Sequence, residues 1–187
     1  MDSIRLSPAI LFLSVSLTLS LPVQGDQNDP RLDSLFEALA ETTRPEFLAE
    51  IENRIWNLWY QHPDPEAQAM LKVGEQLMNA GYYRDALRVF STLIDQQPEF
   101  AEAWNRRATL HYLIGDLSAS IEDVNRTLAL EPRHFGALSG LGLVYLQQEN
   151  YIKAREAFEK LLMVHPHSPA ARRNLETVLE ALRARFI

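Results

Sequence analysis

The chain has 187 residues and a formal net charge of −7, with 47% apolar and 23% charged residues. This length and balance are typical of one folded domain or one repeat array and exclude a wholly disordered chain. The negative charge argues against nucleic acid or an anionic membrane as the main partner. Because the sequence contains no cysteine, it excludes disulfides, thiolate chemistry, cysteine-bound metals and a cysteine-linked lipid anchor.

Residues 1–25 have the features of a secretory signal peptide. Arg5 precedes the apolar stretch Ala9–Leu21, whose 13 residues suit a signal-peptide core and are too few to span a bilayer comfortably. We predict cleavage after Gly25, so that the mature chain starts at Asp26 and is periplasmic or secreted. The alternative is an uncleaved anchor, with the rest of the chain exported in the same way.

Residues 26–66 predict a linker followed by a pair of helices. Apolar residues are spaced for one helix face in residues 31–40 and again in residues 45–60. We interpret the pair as a degenerate N-terminal repeat that caps the array described next. The aromatic cluster at its end favours packing within this cap over a ligand cage, and it comprises Trp56, Trp59 and Tyr60.

A period of 34 residues organises the sequence from residue 67 to residue 168. Proline recurs with this spacing at Pro98, Pro132 and Pro166, and a small residue does so at Ala86, Ser120 and Ala154. Three aligned blocks follow, at 67–100, 101–134 and 135–168. Self-similarity with a period of this length is typical of stacked helical repeats.

Each block predicts two helices joined by a tight turn. Gly81 and Gly115 occupy the turn in the first two blocks, where a left-handed backbone favours glycine. The third block has Glu149 and Asn150 instead, and we expect Asn150 to preserve the turn. A proline then ends the second helix of each block.

These blocks resemble the tetratricopeptide repeat. The shared pattern is W/L-x-x-L/R-G/A-x-x-Y/L, then G-D-Y/L-x-x-A/S, an F/V position and the closing proline, and it is clearest in AEAWNRRATLHYLIGDLSASIEDVNRTLALEPRH. The resemblance implies an all-α fold, a right-handed tetratricopeptide-repeat superhelix or α-solenoid of antiparallel helix pairs. Residues 169–187, opened by Ser168 and Pro169, predict a final capping helix.

The resemblance also implies a concave groove lined by the first helix of each block. Apolar residues at several groove positions predict a partner site, suited to an amphipathic helix or an extended peptide of another protein. The family's groove-facing positions give the candidate residues Leu71, Glu75, Met78, Asn79, Asn105, Thr109, Tyr112, Leu113, Ser139, Leu143, Leu146 and Gln147.

Two features qualify this interpretation of the groove. Some family members bind a C-terminal carboxylate, but four of the five corresponding positions here lack the required residue. They read Leu71, Glu75, Arg106, Gly136 and Gly140. The groove could also be filled by the C-terminal helix or by a second copy. In that alternative the protein is a self-associating structural module of the cell envelope and forms a homo-oligomer.

Arg107 stands where the family has a buried leucine, and a buried arginine needs a partner. We favour an internal ion pair with Asp95 or Asp123 that sets the register between repeats. The alternative is an anion site formed by Arg106, Arg107 and His134.

No pattern in the sequence predicts catalysis, a cofactor or a metal centre. We found no nucleophile elbow, phosphate-binding loop, zinc helix motif or dinucleotide fingerprint. His165 and His167 flank a proline in a turn, a weak signal for a metal ligand pair. His111 replaces an aromatic residue and is interpreted as part of the core. The sequence therefore favours a binding scaffold over an enzyme.

Overall fold

The computed structural model describes residues 25–185, in which the regular structure consists of nine helices. The predicted signal segment up to residue 24 lies outside the described residues. The first two helices precede the 34-residue blocks, the next six form them, and the last follows them. Their bounds are α1 Arg31–Glu41, α2 Pro45–Trp59, α3 Pro65–Asn79, α4 Tyr83–Gln96, α5 Ala101–Leu113, α6 Leu117–Leu130, α7 Phe135–Gln147, α8 Tyr151–Val164 and α9 Pro169–Ala184.

Three helix pairs, α3–α4, α5–α6 and α7–α8, stack in chain order, and α9 packs on α8. This arrangement is the predicted all-α solenoid of tetratricopeptide repeats. We refer to the three pairs as repeats 1, 2 and 3. None of the nine helices is long and apolar enough to cross a membrane.

The two helices of repeats 1 and 3 approach closely because each pair sets a glycine against a phenylalanine. A Cβ atom added at Gly74 would lie 2.3 Å from the ring of Phe90, and one added at Gly142 would lie 2.4 Å from the ring of Phe158. Both rings are completely buried. The glycine therefore makes room for the aromatic ring that fills the interior of each pair.

The turns inside the repeats depend on one left-handed residue each. Gly81 has a φ of 80° and Gly115 a φ of 83°. In repeat 3 the prediction for Asn150 was wrong, because Glu149 takes the positive φ of 55°. Asn150 instead accepts a hydrogen bond from the backbone N–H of Lys153 at 3.3 Å and caps α8, as asparagine commonly does.

Arg107 forms an internal ion pair, and its partner is Asp123 rather than Asp95. Its Nε and Nη2 atoms each donate to Asp123 at 2.8 Å, and its Nη1 donates to Ser91 Oγ at 3.1 Å. The hydrogen bonds that Arg107 donates to Asp123 raise the pKa of Arg107. Since Ser91 belongs to repeat 1, this guanidinium links repeats 1 and 2 and is not available for an external anion.

The α1–α2 hairpin does not stack on repeat 1, which corrects the prediction of a degenerate N-terminal repeat. In repeat 2, Ala103 and Leu110 are fully buried against repeat 1. Their counterparts in repeat 1, Ala69 and Gln76, are exposed. Among the described residues, therefore, no helix covers the outer face of repeat 1.

The hairpin packs instead against repeat 3 and the turns on either side of it. The rings of Phe36 and Phe135 lie 6.5 Å apart, edge to face. Asp33 forms a salt bridge of 2.7 Å with Arg133. Glu52 lies 2.5 Å from His165 Nε2. The two helices in residues 31–60 were predicted correctly, but their apolar face packs against repeat 3 and not against repeat 1.

Glycine substitutions in α7 give a direct test of this packing. We expect Gly140→Ala to raise the free energy of unfolding by about 0.5–1 kcal/mol, because a Cβ there meets nothing within 4 Å and alanine favours the helix. Gly142→Ala should lower it by about 1–3 kcal/mol through overpacking against Phe158. Urea unfolding followed by circular dichroism measures both. Equal stability of the two variants would contradict the close approach of α7 and α8.

Candidate partner-binding groove

A cavity of ≈350 Å³ opens on the concave side between α5 and α7. Six of the twelve groove residues predicted from the sequence line it: Asn105, Thr109, Tyr112, Leu113, Ser139 and Leu143. The remaining lining comes from Ala108, Ser120, Val124, Gly136 and Gly140. Apolar walls with a few hydroxyl and amide groups are typical of sites that accept an apolar side chain.

The cavity exists because repeat 2 carries smaller side chains than its neighbours. Val124 stands where repeats 1 and 3 have Phe90 and Phe158. Gly140, on the facing helix, leaves the space in front of its Cα empty. In repeats 1 and 3 the phenylalanine ring instead fills the space in front of Gly74 and Gly142.

Three of the predicted groove residues are buried. Leu71 is 1% exposed and Met78 is 8% exposed. Both belong to the apolar cluster between repeats 1 and 2 that also contains Phe100 and Leu110. They are core residues, which corrects their assignment to an open surface. Asn105 is also buried, although it borders the cavity.

The remaining predicted residues lie outside the cavity lining. Asn79 and Gln147 are exposed near the ends of α3 and α7. Leu146 is half-buried and packs against the same apolar cluster as the α1–α2 hairpin. Glu75 is paired with Arg106 at 3.2 Å. The structure thus brings the four repeat 2 positions together with Ser139 and Leu143 of repeat 3, and it leaves the repeat 1 positions and the two at the end of α7 outside the cavity.

Helix α2 closes one edge of the groove. A Cβ atom added at Gly136 would lie 2.5 Å from the ring of Trp56. The ring of Trp59 stacks on His134 at 4.1 Å between centroids, with an interplanar angle of 11°. The segment that covers part of the groove is therefore the N-terminal hairpin, and not the C-terminal helix considered in the sequence analysis.

A buried polar cluster lies beneath α2. The carboxylate of Glu102, 1% exposed, accepts from Arg106 Nε at 2.6 Å and from Asn105 Nδ2 at 3.0 Å. His134 Nε2 lies 3.0 Å from the same carboxylate. His134 Nδ1 accepts from the backbone N–H of Ala137 at 3.1 Å. The ring is therefore the Nε2–H tautomer that donates to Glu102.

The charges of this cluster compensate one another. Burial alone would raise the pKa of Glu102, but the charge of Arg106 and the hydrogen bond from His134 outweigh it and lower that pKa. Arg106 is buried too, yet the negative charge of Glu102 raises its pKa. The hydroxyl of Tyr60 donates to Glu75, and burial raises the tyrosine pKa. The anion site considered for Arg106, Arg107 and His134 is thus already occupied by carboxylates of the chain itself.

The three histidines singled out in the sequence analysis, His165 and His167 as a weak metal pair and His111 as a core residue, lie in different surroundings. His165 is buried and bonded to Glu52, while His167 lies beside Pro169 at the start of α9. His111 is partly buried near Asp123, at 3.8 Å. Within residues 25–185 no three histidine, aspartate or glutamate side chains are grouped so that they could hold a metal ion.

Sequence reasoning missed the contribution of α2 to the site. Trp56, Trp59 and Tyr60 were assigned to cap packing, which describes Trp59 well. The sequence did contain a signal, because it places three large aromatic residues within five positions. Aromatic residues are enriched at interfaces between proteins. The period of 34 residues could not show where the hairpin docks.

Comparison with known proteins agrees with this architecture. Two tetratricopeptide repeat profiles match residues 71–133 and 135–168. A TPR repeat-containing protein of Rhizobium etli is 30% identical over 81% of this chain and 74% of its own length. The mouse DnaJ homolog subfamily C member 3 is 30% identical over 54% of this chain, which covers 20% of that protein.

Among solved structures, the first TPR of Spaghetti (RPAP3) bound to the HSP90 peptide SRMEEVD superposes with a TM-score of 0.61. It is 20% identical, and the match covers 63% of this chain and 93% of that one. The fold and its groove define an α-helical repeat protein. Together with the Rhizobium relative, they place this chain in the tetratricopeptide repeat family.

The Rhizobium match extends beyond the repeats. Residues 67–187 make up about two thirds of the chain, whereas the match covers 81% of it. The similar region therefore reaches into the segment that precedes α3. A match of 152 residues in a chain of 187 necessarily includes α2 together with repeats 1 and 2.

The acid stability of the protein should depend on Glu102. Because its pKa is lowered below the ordinary 4.5, its contribution is complete above that value and is lost as the pH falls through the folded-state pKa. We expect Glu102→Gln to lower the free energy of unfolding at pH 7 by about 1–3 kcal/mol and to flatten its decline below pH 4.5. Urea unfolding between pH 3 and 7 measures this. The exposed Glu66→Gln is the control, and unchanged acid sensitivity in Glu102→Gln would contradict the expectation.

Proposed function

We propose that this protein is an exported interaction scaffold that binds an apolar segment of a partner protein in the cavity between α5 and α7. The observation that carries the proposal is the cavity itself, which is lined by Tyr112, Leu113 and Leu143 and left empty by Gly140. An open apolar cavity on the concave side is costly in water unless a ligand covers it.

Membership of the tetratricopeptide repeat family supports a binding function over a reaction. The RPAP3 domain, which has the same fold, is bound to a peptide of HSP90 in its solved structure. In the groove described here, the acid, base and cation that lie closest together are Glu102, His134 and Arg106, and they bind one another. The carboxylate and the imidazole are buried beneath α2 and bonded to one another.

The partner segment that fits this groove is uncharged where it enters. On this side Arg106 forms salt bridges with Glu75 at 3.2 Å and with Glu102 at 2.6 Å. A ligand carboxylate would have to displace one of these carboxylates from Arg106, and breaking such a buried pair is unfavourable. This supports an apolar anchor and argues against recognition of a charged C-terminus.

Filling the cavity should abolish binding without unfolding the protein. A phage-displayed library of random 12-residue peptides is selected on residues 26–187, and recovered peptides are tested against Gly140→Leu. The leucine side chain extends into the empty space, so we expect about tenfold or greater loss of affinity with unchanged helicity. The control is Met163→Ala, at a side chain that is 82% exposed on α8.

Peptides that bind the Gly140→Leu variant as well as the unaltered chain would place recognition outside the cavity and contradict the proposal. Light scattering on the same preparations addresses the alternative of self-association. A dimer that dissociates in Gly140→Leu would mean that a second copy, and not a foreign peptide, fills the cavity.

Export is proposed from the sequence of residues 1–25 and is testable by itself. We expect the full chain, produced in a Gram-negative bacterium, to appear in the periplasmic fraction with Asp26 as its N-terminal residue, because Ala9–Leu21 is a signal-sized apolar core. Subcellular fractionation with N-terminal sequencing measures this. A chain that starts at Asp26 behind a new initiator methionine is the control, and full-length protein in the cytoplasm would contradict the proposal.

A further inference from the structure

Trp56 lies beside the cavity although it belongs to α2 and not to a repeat. Its ring rests against Gly136, which lines the cavity, at the place where any other residue would carry a Cβ atom. The indole therefore stands in the groove itself, next to the space proposed for the partner.

The orientation of the Trp56 ring is fixed by its neighbours. It is edge-on to Trp59 at 5.4 Å and to Phe135 at 5.3 Å between ring centroids. The guanidinium of Arg106 lies 5.6 Å from its centroid, within the range of a cation–π contact. A ring held on three sides loses little conformational entropy when a ligand binds.

The indole N–H of Trp56 donates no hydrogen bond within the described part of the chain. Trp56 is only partly buried, and its indole N–H has no acceptor among residues 25–185. The other two tryptophans differ. Trp104 Nε1 donates to the carbonyl of Pro98 at 2.9 Å, and Trp59 is 1% exposed with its nitrogen enclosed. A half-exposed tryptophan with an available donor is typical of interface residues that dominate binding.

We infer that Trp56 is a partner-contact residue, which closes the side of the cavity and donates its Nε1–H to a main-chain carbonyl of an extended, uncharged segment of the partner. The site is then composite, with repeats 2 and 3 supplying the cavity and the hairpin supplying the donor. This inference rests on the proposed function of the same cavity.

A hydrogen-bond donor beside an apolar cavity favours an extended segment over a helix. An extended segment can place one side chain in this space and keep its main-chain carbonyls free. A helix uses its carbonyls internally and has none to offer along its length.

The test uses a 12-residue peptide recovered on the unaltered protein whose binding is abolished by Gly140→Leu. Trp56→Phe keeps an aromatic ring and removes the donor, so we expect binding by calorimetry to weaken about three- to tenfold. Trp104→Phe is the matched control, because it removes an indole N–H that already donates to Pro98 and lies outside the cavity lining. Affinity should stay within about twofold even if stability falls.

A second measurement reads contact with the ring directly. In a variant carrying Trp59→Phe and Trp104→Phe, Trp56 is the remaining tryptophan. Its emission should shift to shorter wavelength when the peptide excludes water from the indole. Circular dichroism confirms that this variant is folded.

The outcomes separate the two proposals. Unchanged affinity of Trp56→Phe together with unchanged Trp56 emission would overturn the role of Trp56 and leave the cavity function standing. Loss of affinity without an emission change would also overturn direct contact. If no selected peptide is sensitive to Gly140→Leu, the cavity function fails first and the inference fails with it.

Discussion

The carboxylate of Glu102 holds the two parts of this molecule together. It is buried at the start of α5, where it binds Arg106 on its own helix and His134 at the start of α7. The ring of Trp59 from α2 stacks on His134. A buried charge is tolerated only when such partners satisfy it. The N-terminal hairpin is thus seated on a polar cluster that repeats 2 and 3 assemble between them.

Much of the fold could be predicted from the sequence, because each tetratricopeptide repeat needs the same residue types at the same positions. Three local features recur along the chain. They are a glycine packed against Phe90 or Phe158, a glycine at the left-handed turns, and a proline after each second helix. The exchange of Glu149 and Asn150 in the third turn was mispredicted, since asparagine suits both a left-handed turn and a helix N-cap. Local chemistry could not choose between these two uses.

The site was predictable only in part. Family positions located the concave residues of repeats 2 and 3, but exposure depends on neighbours far away in the chain, so Leu71 and Met78 proved to be core. The emptiness of the cavity follows from Val124 and Gly140 jointly, which no single position reveals. The docking of α2 was hidden for the same reason. Its apolar face has the same spacing whichever surface it covers.

The position of the hairpin changes how such a chain must fold. A solenoid is quasi-one-dimensional, because each repeat touches only the next and folding can spread from any point. Here Asp33 meets Arg133 across 100 residues, and Glu52 meets His165 across 113 residues. These contacts join segments that are far apart in the sequence. They raise the contact order of the fold, which favours cooperative, slower folding. The hairpin precedes the repeats in the chain, so it can make these contacts only after repeat 3 has been synthesised.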